Sequence, residues 1–281
     1  MKPISLRSRR LRGAVGVFTA GLCASAVAAI LLLILGYVIR EGIGAISIDF
    51  LTQLPHPVGV PGGGVANGIV GSAIIVGIAA LMAIPIGSLT GVYLTYFGRG
   101  SFGSTVRFLS DVLSGIPRIA IGLFAYTVLV APLGHFSGFS ASFAFAILML
   151  PVIITTTENA IRGVSHEVYE AALALGVPRH SAITRIILPS ARSGIITGIV
   201  LAMARVTGET APLLFTAFGS QFWELNPNNP MAELSLQVFT YAISPYRSWH
   251  EQAWGGALIL ILMVFILNIG ARVVLKPGFR S

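Results

Sequence analysis

Apolar residues run along this chain in six blocks, at about 14–39, 67–97, 107–131, 139–160, 193–217 and 253–275, separated by shorter polar stretches. A helix that crosses the hydrocarbon of a bilayer needs roughly 20 apolar residues, and each block meets or approaches that length. The pattern therefore predicts an all-α membrane protein with six transmembrane helices. The first block follows Arg7, Arg9, Arg10 and Arg12, as a signal peptide would. Its apolar run continues to Ile39, well past signal-core length, and an Ala-Ser-Ala cut would fall in its middle. It reads as a retained span.

The polar stretches differ in kind. Pro55, Pro57, Pro61 and Gly62 to Gly64 make 40–66 an irregular, exposed loop. The stretch 218–252 carries Trp223, Tyr246 and Trp249, which suit headgroup anchors or a docking surface for an external partner. After the fourth block, Val168, Ala171, Ala172 and Leu175 recur at helical spacing, with Glu167 and Glu170 in the first turn, where the helix dipole favours them. Gly176 suits a left-handed cap and Pro178 discourages continuation. The segment resumes through Ile183, Ile186 and Ile187 and is expected to stop at Pro189. A helix of about ten residues is marginal alone in water, so it needs lipid, the bundle or a partner to lie on.

Composition and charge narrow the class. The 281 residues are 55% hydrophobic and 10% charged, against about 25% charged in soluble domains, and the mean hydropathy is +0.86. No soluble segment is long enough for its own core, and no G-x-x-x-x-G-K-[ST] string occurs, which excludes an ATP-binding domain. The expected division is a basic N-terminus at 1–13, a transmembrane domain at 14–275 with a cytoplasmic loop at 161–190, and a tail at 276–281. Of the 18 Lys and Arg, 14 fall on one side: five before residue 13, then Arg99, Arg107, Arg162, Arg179, Arg185, Arg192, Arg272, Lys276 and Arg280. Only Arg40 and Arg247 fall opposite. The positive-inside rule places both termini in the cytoplasm, so the net charge of +8 is a topology signal and predicts no nucleic-acid partner. Cys23 stands alone in an apolar block, so no disulfide or Cys-based metal site is expected. His56, His135, His166, His180 and His250 fall in four loops without metal-ligand spacing. Neither a catalytic site nor a metal site is expected.

Three charges sit near the middle of the blocks. Arg205 and Glu209, four apart in the fifth, can pair along one helix face. An unpaired charge at bilayer centre costs about 2.5–3.5 kcal/mol on insertion scales. Pro212 cannot bond the Gly208 carbonyl, leaving it, with the Thr207 and Thr210 hydroxyls, to polarise the same region and kink the helix. Arg118 follows Pro117 in the third block, with Asp111 two turns earlier and Glu158 in the fourth as possible partners. The pair either fixes packing or lines an anion path. Two arginines against one carboxylate leave one positive charge, and a guanidinium fork matches two phosphate oxygens.

Glu170-Ala171-Ala172, three residues, Gly176, nine residues, Ile186, one residue, Leu188-Pro189 resembles the signature loop of binding-protein-dependent ABC importer permeases, with every motif position filled. Over most of the chain the resemblance is to the phosphate-specific permeases of the PstA type. Gly62-Gly63-Gly64-Val65-Ala66-Asn67, Ile121-Gly122-Leu123-Phe124, Thr156-Thr157-Glu158-Asn159, Gln221-Phe222-Trp223 and above all the run from Ala204 to Ala217 carry it. The resemblance implies a type I, MetI-like architecture in the bacterial inner membrane, in which the loop at 166–189 is the coupling helix of a non-catalytic subunit. The implied partners are a second homologous permease (PstC type), a homodimeric cytoplasmic ATPase (PstB type) that binds ATP and Mg, a periplasmic phosphate-binding protein (PstS type) and membrane lipid, with no cofactor on this chain. Arg205, Glu209, Thr210 and Arg118 are the expected path or gating residues. Members of the family often carry arginine where this chain has Thr155, so Arg118 is expected to supply that charge. The nearest alternative is an importer of sulfate, molybdate or tungstate. A secondary transporter would leave the coupling loop unexplained, and a part in reporting phosphate status stays open.

Overall fold

The computed structural model describes residues 6–57, 60 and 62–274, with side chains from 13 to 270 in that range. Pro61, the tail at 276–281 and the basic side chains of 1–13 and 272–280 lie outside the described part, so the termini are not placed relative to a membrane.

Twelve α-helices follow one another: α1 Leu6–Gly42, α2 Ile48–Thr52, α3 Ala66–Tyr96, α4 Ser101–Gly115, α5 Arg118–Ala125, α6 Ala131–Leu133, α7 Gly138–Arg162, α8 His166–Ala174, α9 Arg179–Ala182, α10 Leu188–Thr207, α11 Leu234–Ala242 and α12 Arg247–Val274. Five described helical stretches are long and apolar enough to cross a membrane, and α4 with the helix after it makes a sixth if the pair counts as one span. The six expected spans are thus present, but two differ in shape.

The third is broken, its halves meeting at 103°. Pro117 drives Ile116 out of the helical region, to ψ 133°, because the pyrrolidine ring clashes with the preceding residue's helical conformation. The fifth begins earlier and ends earlier than its apolar block. α9 runs into α10 through a π turn at Ile183–Ile187, in which the Leu188 amide bonds the Ile183 carbonyl. Pro189, lacking an N–H, therefore sits just inside the first turn of α10 and does not stop the helix, which corrects the sequence expectation. At the other end α10 stops at Thr207, so residues 208–217 are not a kinked continuation of the span but an irregular segment with one 3₁₀ turn at Leu213–Phe215.

α3 and α7 form the centre of the bundle. A Cβ on Gly87 would lie 2.8 Å from Ile153 Cγ2 and one on Gly91 2.7 Å from Thr157 Cβ, so glycine permits the two backbones to approach this closely. Ile75, Ala79, Ala83, Phe145, Met149 and Ile153 fill the interface and are fully buried. α1 lies outside this core against α12, with Tyr37 edge-on to Trp254 at 5.2 Å. The orphan amides that begin α7 are taken up by the chain between α10 and α11. Ser137, Gly138 and Phe139 donate to the carbonyls of Thr216, Asn229 and Pro227 at 2.9, 2.9 and 2.7 Å.

Candidate translocation site and coupling loop

Two breaks in helical structure converge on one place. α5 begins at Arg118 immediately after the Pro117 break, α10 ends two residues after Arg205, and Glu209 opens the irregular segment. Gly122 of α5 packs on Pro212 so closely that a Cβ there would be 2.6 Å from Pro212 Cα. This contact lays the first turn of α5 beside residue 209, and the Arg118 guanidinium closes an ion pair with the Glu209 carboxylate. Arg205, in the last turn of α10, has no hydrogen bond or ion pair among the described residues. Arg118, Arg205 and Glu209 together line a cavity of about 30 Å³ with Ser114, Pro151 and Val152, room for one or two water molecules.

The sequence placed Arg205 and Glu209 on one helix face. Because α10 ends at Thr207, the i,i+4 geometry is lost and Glu209 turns to Arg118 instead. Gly208, poor in helices, and Pro212, which has no amide to donate to its carbonyl, account for that ending. Thr210 lies in the same irregular segment, where its carbonyl accepts from the Leu213 amide at 3.0 Å. The expected partners of Arg118 are both otherwise placed. Glu158, nearly buried, accepts from Arg107 Nε at 3.0 Å and Arg162 at 2.6 Å. Arg107 also donates to the Gly98 and Leu94 carbonyls, at 3.0 and 2.6 Å, so this cluster ties the α3–α4 turn to the end of α7. Asp111 makes no ion pair among the described residues. Sequence reasoning missed the Arg107–Glu158–Arg162 cluster, although the Glu158, Arg162 spacing of four was legible.

At the other end of α7 the chain enters the loop that carries Glu170, Ala171, Ala172, Gly176, Ile186, Leu188 and Pro189. Ser165 caps α8 by accepting from the Glu167 amide. Its end is a Schellman motif: Gly176 takes φ +82°, its amide bonds Leu173, and the Val177 amide bonds Ala172. Ala172 is buried and Tyr169 packs on Tyr96 with ring centroids 5.0 Å apart. The rest of the apolar stripe is not covered. Val168 is 41% exposed and Leu175 85% exposed, while Glu170 stands at the surface beside His166 at 3.1 Å. Ile183 and Ile187 are buried under the loop, Ile186 and Leu188 are half-buried and Pro189 is exposed.

Residues 83–276 match the family described as binding-protein-dependent transport system inner membrane component. The chain belongs to this permease family. Among its curated relatives is a phosphate transport system permease protein PstA of Yersinia pestis, 43% identical over 245 residues, which are 87% of this chain and 83% of that one. The Haemophilus influenzae protein of the same name is 45% identical over 240 residues, 85% of each chain. The Mycobacterium leprae protein is 38% identical over 279 residues, 96% of this chain and 90% of its own. Among solved structures, a chain of the inward-facing MetNI methionine ABC transporter superposes with a TM-score of 0.64 at 16% identity, covering 75% of this chain and 94% of that one. A chain of an amino acid ABC transporter crystallised with histidines gives 0.53 at 18% identity, over 75% and 91%. At these identities the structural likeness speaks for the fold, a MetI-like ABC permease bundle. The permease is a multi-pass inner-membrane component, as its family and its apolar helices require.

Proposed function

We propose that this permease is one half of the pore of an ATP-driven importer that carries inorganic phosphate from periplasm to cytoplasm. The observation that carries the reading is the junction of Arg118, Glu209 and Arg205 at two helix breaks, in a chain 43–45% identical to PstA-type phosphate permeases. Helix breaks expose backbone groups where a path must be polar, and a pair of guanidiniums balanced by a single carboxylate leaves net positive charge for an anion. In the resting pair Glu209 occupies Arg118. A phosphate oxyanion entering the cavity competes for the same guanidinium fork, so the pair opens as the anion arrives.

The partner assignments follow the same reading. The uncovered stripe of α8, with Glu170 at its surface, seats in a cytoplasmic ATPase (PstB type) that holds ATP and Mg. A second permease (PstC type) completes the pore, and a periplasmic phosphate-binding protein (PstS type) delivers the substrate. Both termini and the 161–190 loop face the cytoplasm, in keeping with the distribution of Lys and Arg. Nucleotide-driven closure of the ATPases pulls α8, and the contacts of Ile183 and Ile187 beneath it pass that pull to α10.

Radiolabelled phosphate uptake at micromolar concentration tests the reading, in cells lacking the gene and in cells complemented with it, with sulfate and molybdate as competitors. Loss without the gene, recovery with it and indifference to the competitors are expected. Uptake blocked by molybdate or sulfate assigns the pore to another oxyanion.

A further inference from the structure

Outside the Arg118 cavity, Glu233 is fully buried as the N-cap of α11. Its carboxylate accepts from three donors: the Ser72 hydroxyl of α3 at 2.9 Å, the Leu236 amide at 3.0 Å and the Ser235 hydroxyl at 2.5 Å. Ser72 in turn accepts from the Leu234 amide at 2.9 Å. The Ser235 oxygen also lies 3.1 Å from the backbone carbonyl of Glu209. A hydroxyl carries one hydrogen, so Ser235 serves either Glu233 or Glu209.

We propose that Glu233 is a positioning residue for the transport site. Its charge decides whether Ser235 donates to the Glu233 carboxylate or to the Glu209 carbonyl, and so how firmly Glu209 is held against Arg118. When Glu233 is ionised, the charge-assisted bond to its oxygen wins, because such bonds are roughly twice as strong as neutral ones. The Glu209 carbonyl is then released. When Glu233 is protonated, Ser235 chooses between two neutral acceptors, and the latch onto Glu209 forms.

The surroundings fit a group that changes charge in the neutral range. Burial raises the Glu233 carboxyl from 4.5 to about 7, against the lowering effect of its hydrogen bonds from Ser235, Leu236 and Ser72. Glu233 belongs to the wall of a cavity of about 210 Å³ shared with Ser220, Gln237, Tyr241 and Trp249, close to its fully buried carboxyl. The titratable groups on the packed elements are few. α3 offers only the non-titrating Ser72 hydroxyl, Tyr241 belongs to α11, and Glu209 of the irregular segment is engaged by Arg118. On α12, His250 is turned to the Ser244 carbonyl and Glu251 to Arg247. Arg205 opens onto the other cavity.

The inference rests on the phosphate-import reading of the same site, and the test separates the two. The transporter is reconstituted with its partner subunits, and uptake is followed from about pH 6 to about pH 8, on both sides of the carboxyl's midpoint. Phosphate itself changes charge in this range, so each variant is read as its ratio to wild type at the same pH, in which substrate ionisation cancels. Glu233→Gln keeps an acceptor for Leu236 and stays neutral, so it behaves as the latched form at every pH. Its ratio is expected near one in acid and to fall roughly two- to tenfold in alkali, the range of one net hydrogen bond. Ser235→Ala cannot latch, so its ratio is expected to rise by a similar factor in acid and approach one in alkali. An infrared carboxylic-acid band titrating near neutrality, present in wild type and Ser235→Ala and lost in Glu233→Gln, is the readout independent of transport. Flat ratios for both variants, departures in the same half of the range, or no such band in wild type overturn the inference. A wild type that carries no phosphate at any pH contradicts the functional reading, and the infrared band still judges the latch.

Discussion

Arg118 and Glu209 come from chain positions 91 residues apart, and nothing in their local sequence announces the pairing. The charges themselves were legible as exceptions in apolar blocks, which is the strongest residue-scale signal a membrane sequence offers. Which charge meets which depended on where α10 ends. The pair sits at the cavity with the Glu209 side chain 13% exposed and that of Arg118 38%, so it is only partly desolvated and its contribution lies well below that of a fully buried pair. A double-mutant cycle of Arg118→Gln and Glu209→Gln, read as thermal stability of the purified complex in detergent, is expected to show a coupling on the order of 1 kcal/mol. Additive effects would mean the two side chains do not meet. The Arg107–Glu158–Arg162 cluster is the more structural of the two. Glu158→Gln is expected to cost on the order of 1 kcal/mol of stability by leaving the half-buried Arg107 without its carboxylate, measured the same way, with a loss also for Arg107→Gln and no gain in uptake.

Element boundaries were the part of the fold that the apolar pattern read least well. Hydropathy sees an unbroken stretch through 193–217 because Leu213, Leu214 and Phe215 are as apolar as a helix core, yet these residues form a 3₁₀ turn packed against α5. The Gly208 and Pro212 pair was visible and was weighed only as a kink. The opposite error occurred at Pro189, where a wider turn at Ile183–Ile187 lets the helix pass the proline. The cap of α8 was fully legible, since Gly176 at φ +82° occupies the region only glycine enters without strain. Gly176→Ala is expected to cost about 1 kcal/mol. It should loosen α8 so that ATP hydrolysis by the assembled complex becomes less dependent on substrate delivery. Unchanged coupling, assayed as the ratio of phosphate-stimulated to basal hydrolysis, would mean that the loop's end geometry is irrelevant to transmission.

At the scale of the whole molecule, the six-block pattern and the family were within reach of the sequence, because membrane length and motif spacing are local properties, whereas the closeness of α3 and α7 was not read from it. The Glu233 network was not, since it joins positions separated by more than 150 residues in a stretch with no periodic signal. It predicts a pH-dependent stability of the bundle. A carboxyl raised from 4.5 to about 7 on folding binds its proton more tightly in the folded state. Its contribution is fully present below the unfolded value and is lost as pH rises through about 7. The melting temperature of wild type should therefore fall between about pH 5 and about pH 8 by the equivalent of at most about 3 kcal/mol, and that of Glu233→Gln should fall less. Parallel curves would show that Glu233 ionises in the native protein as it does in water.

The central claim is that the Arg118 cavity lies on the path of phosphate and that α8 delivers the force that opens it. The most direct test is phosphate uptake and ATP hydrolysis measured together in proteoliposomes of the complete transporter, with wild type, Arg118→Gln and Glu170→Lys compared at equal assembly. Arg118→Gln is expected to lower uptake at least roughly tenfold, the loss of one charge-assisted contact, while ATP hydrolysis persists. Glu170→Lys is expected to abolish both uptake and its stimulation of hydrolysis. Wild-type uptake by Arg118→Gln in an intact complex would take the cavity off the path and contradict the account.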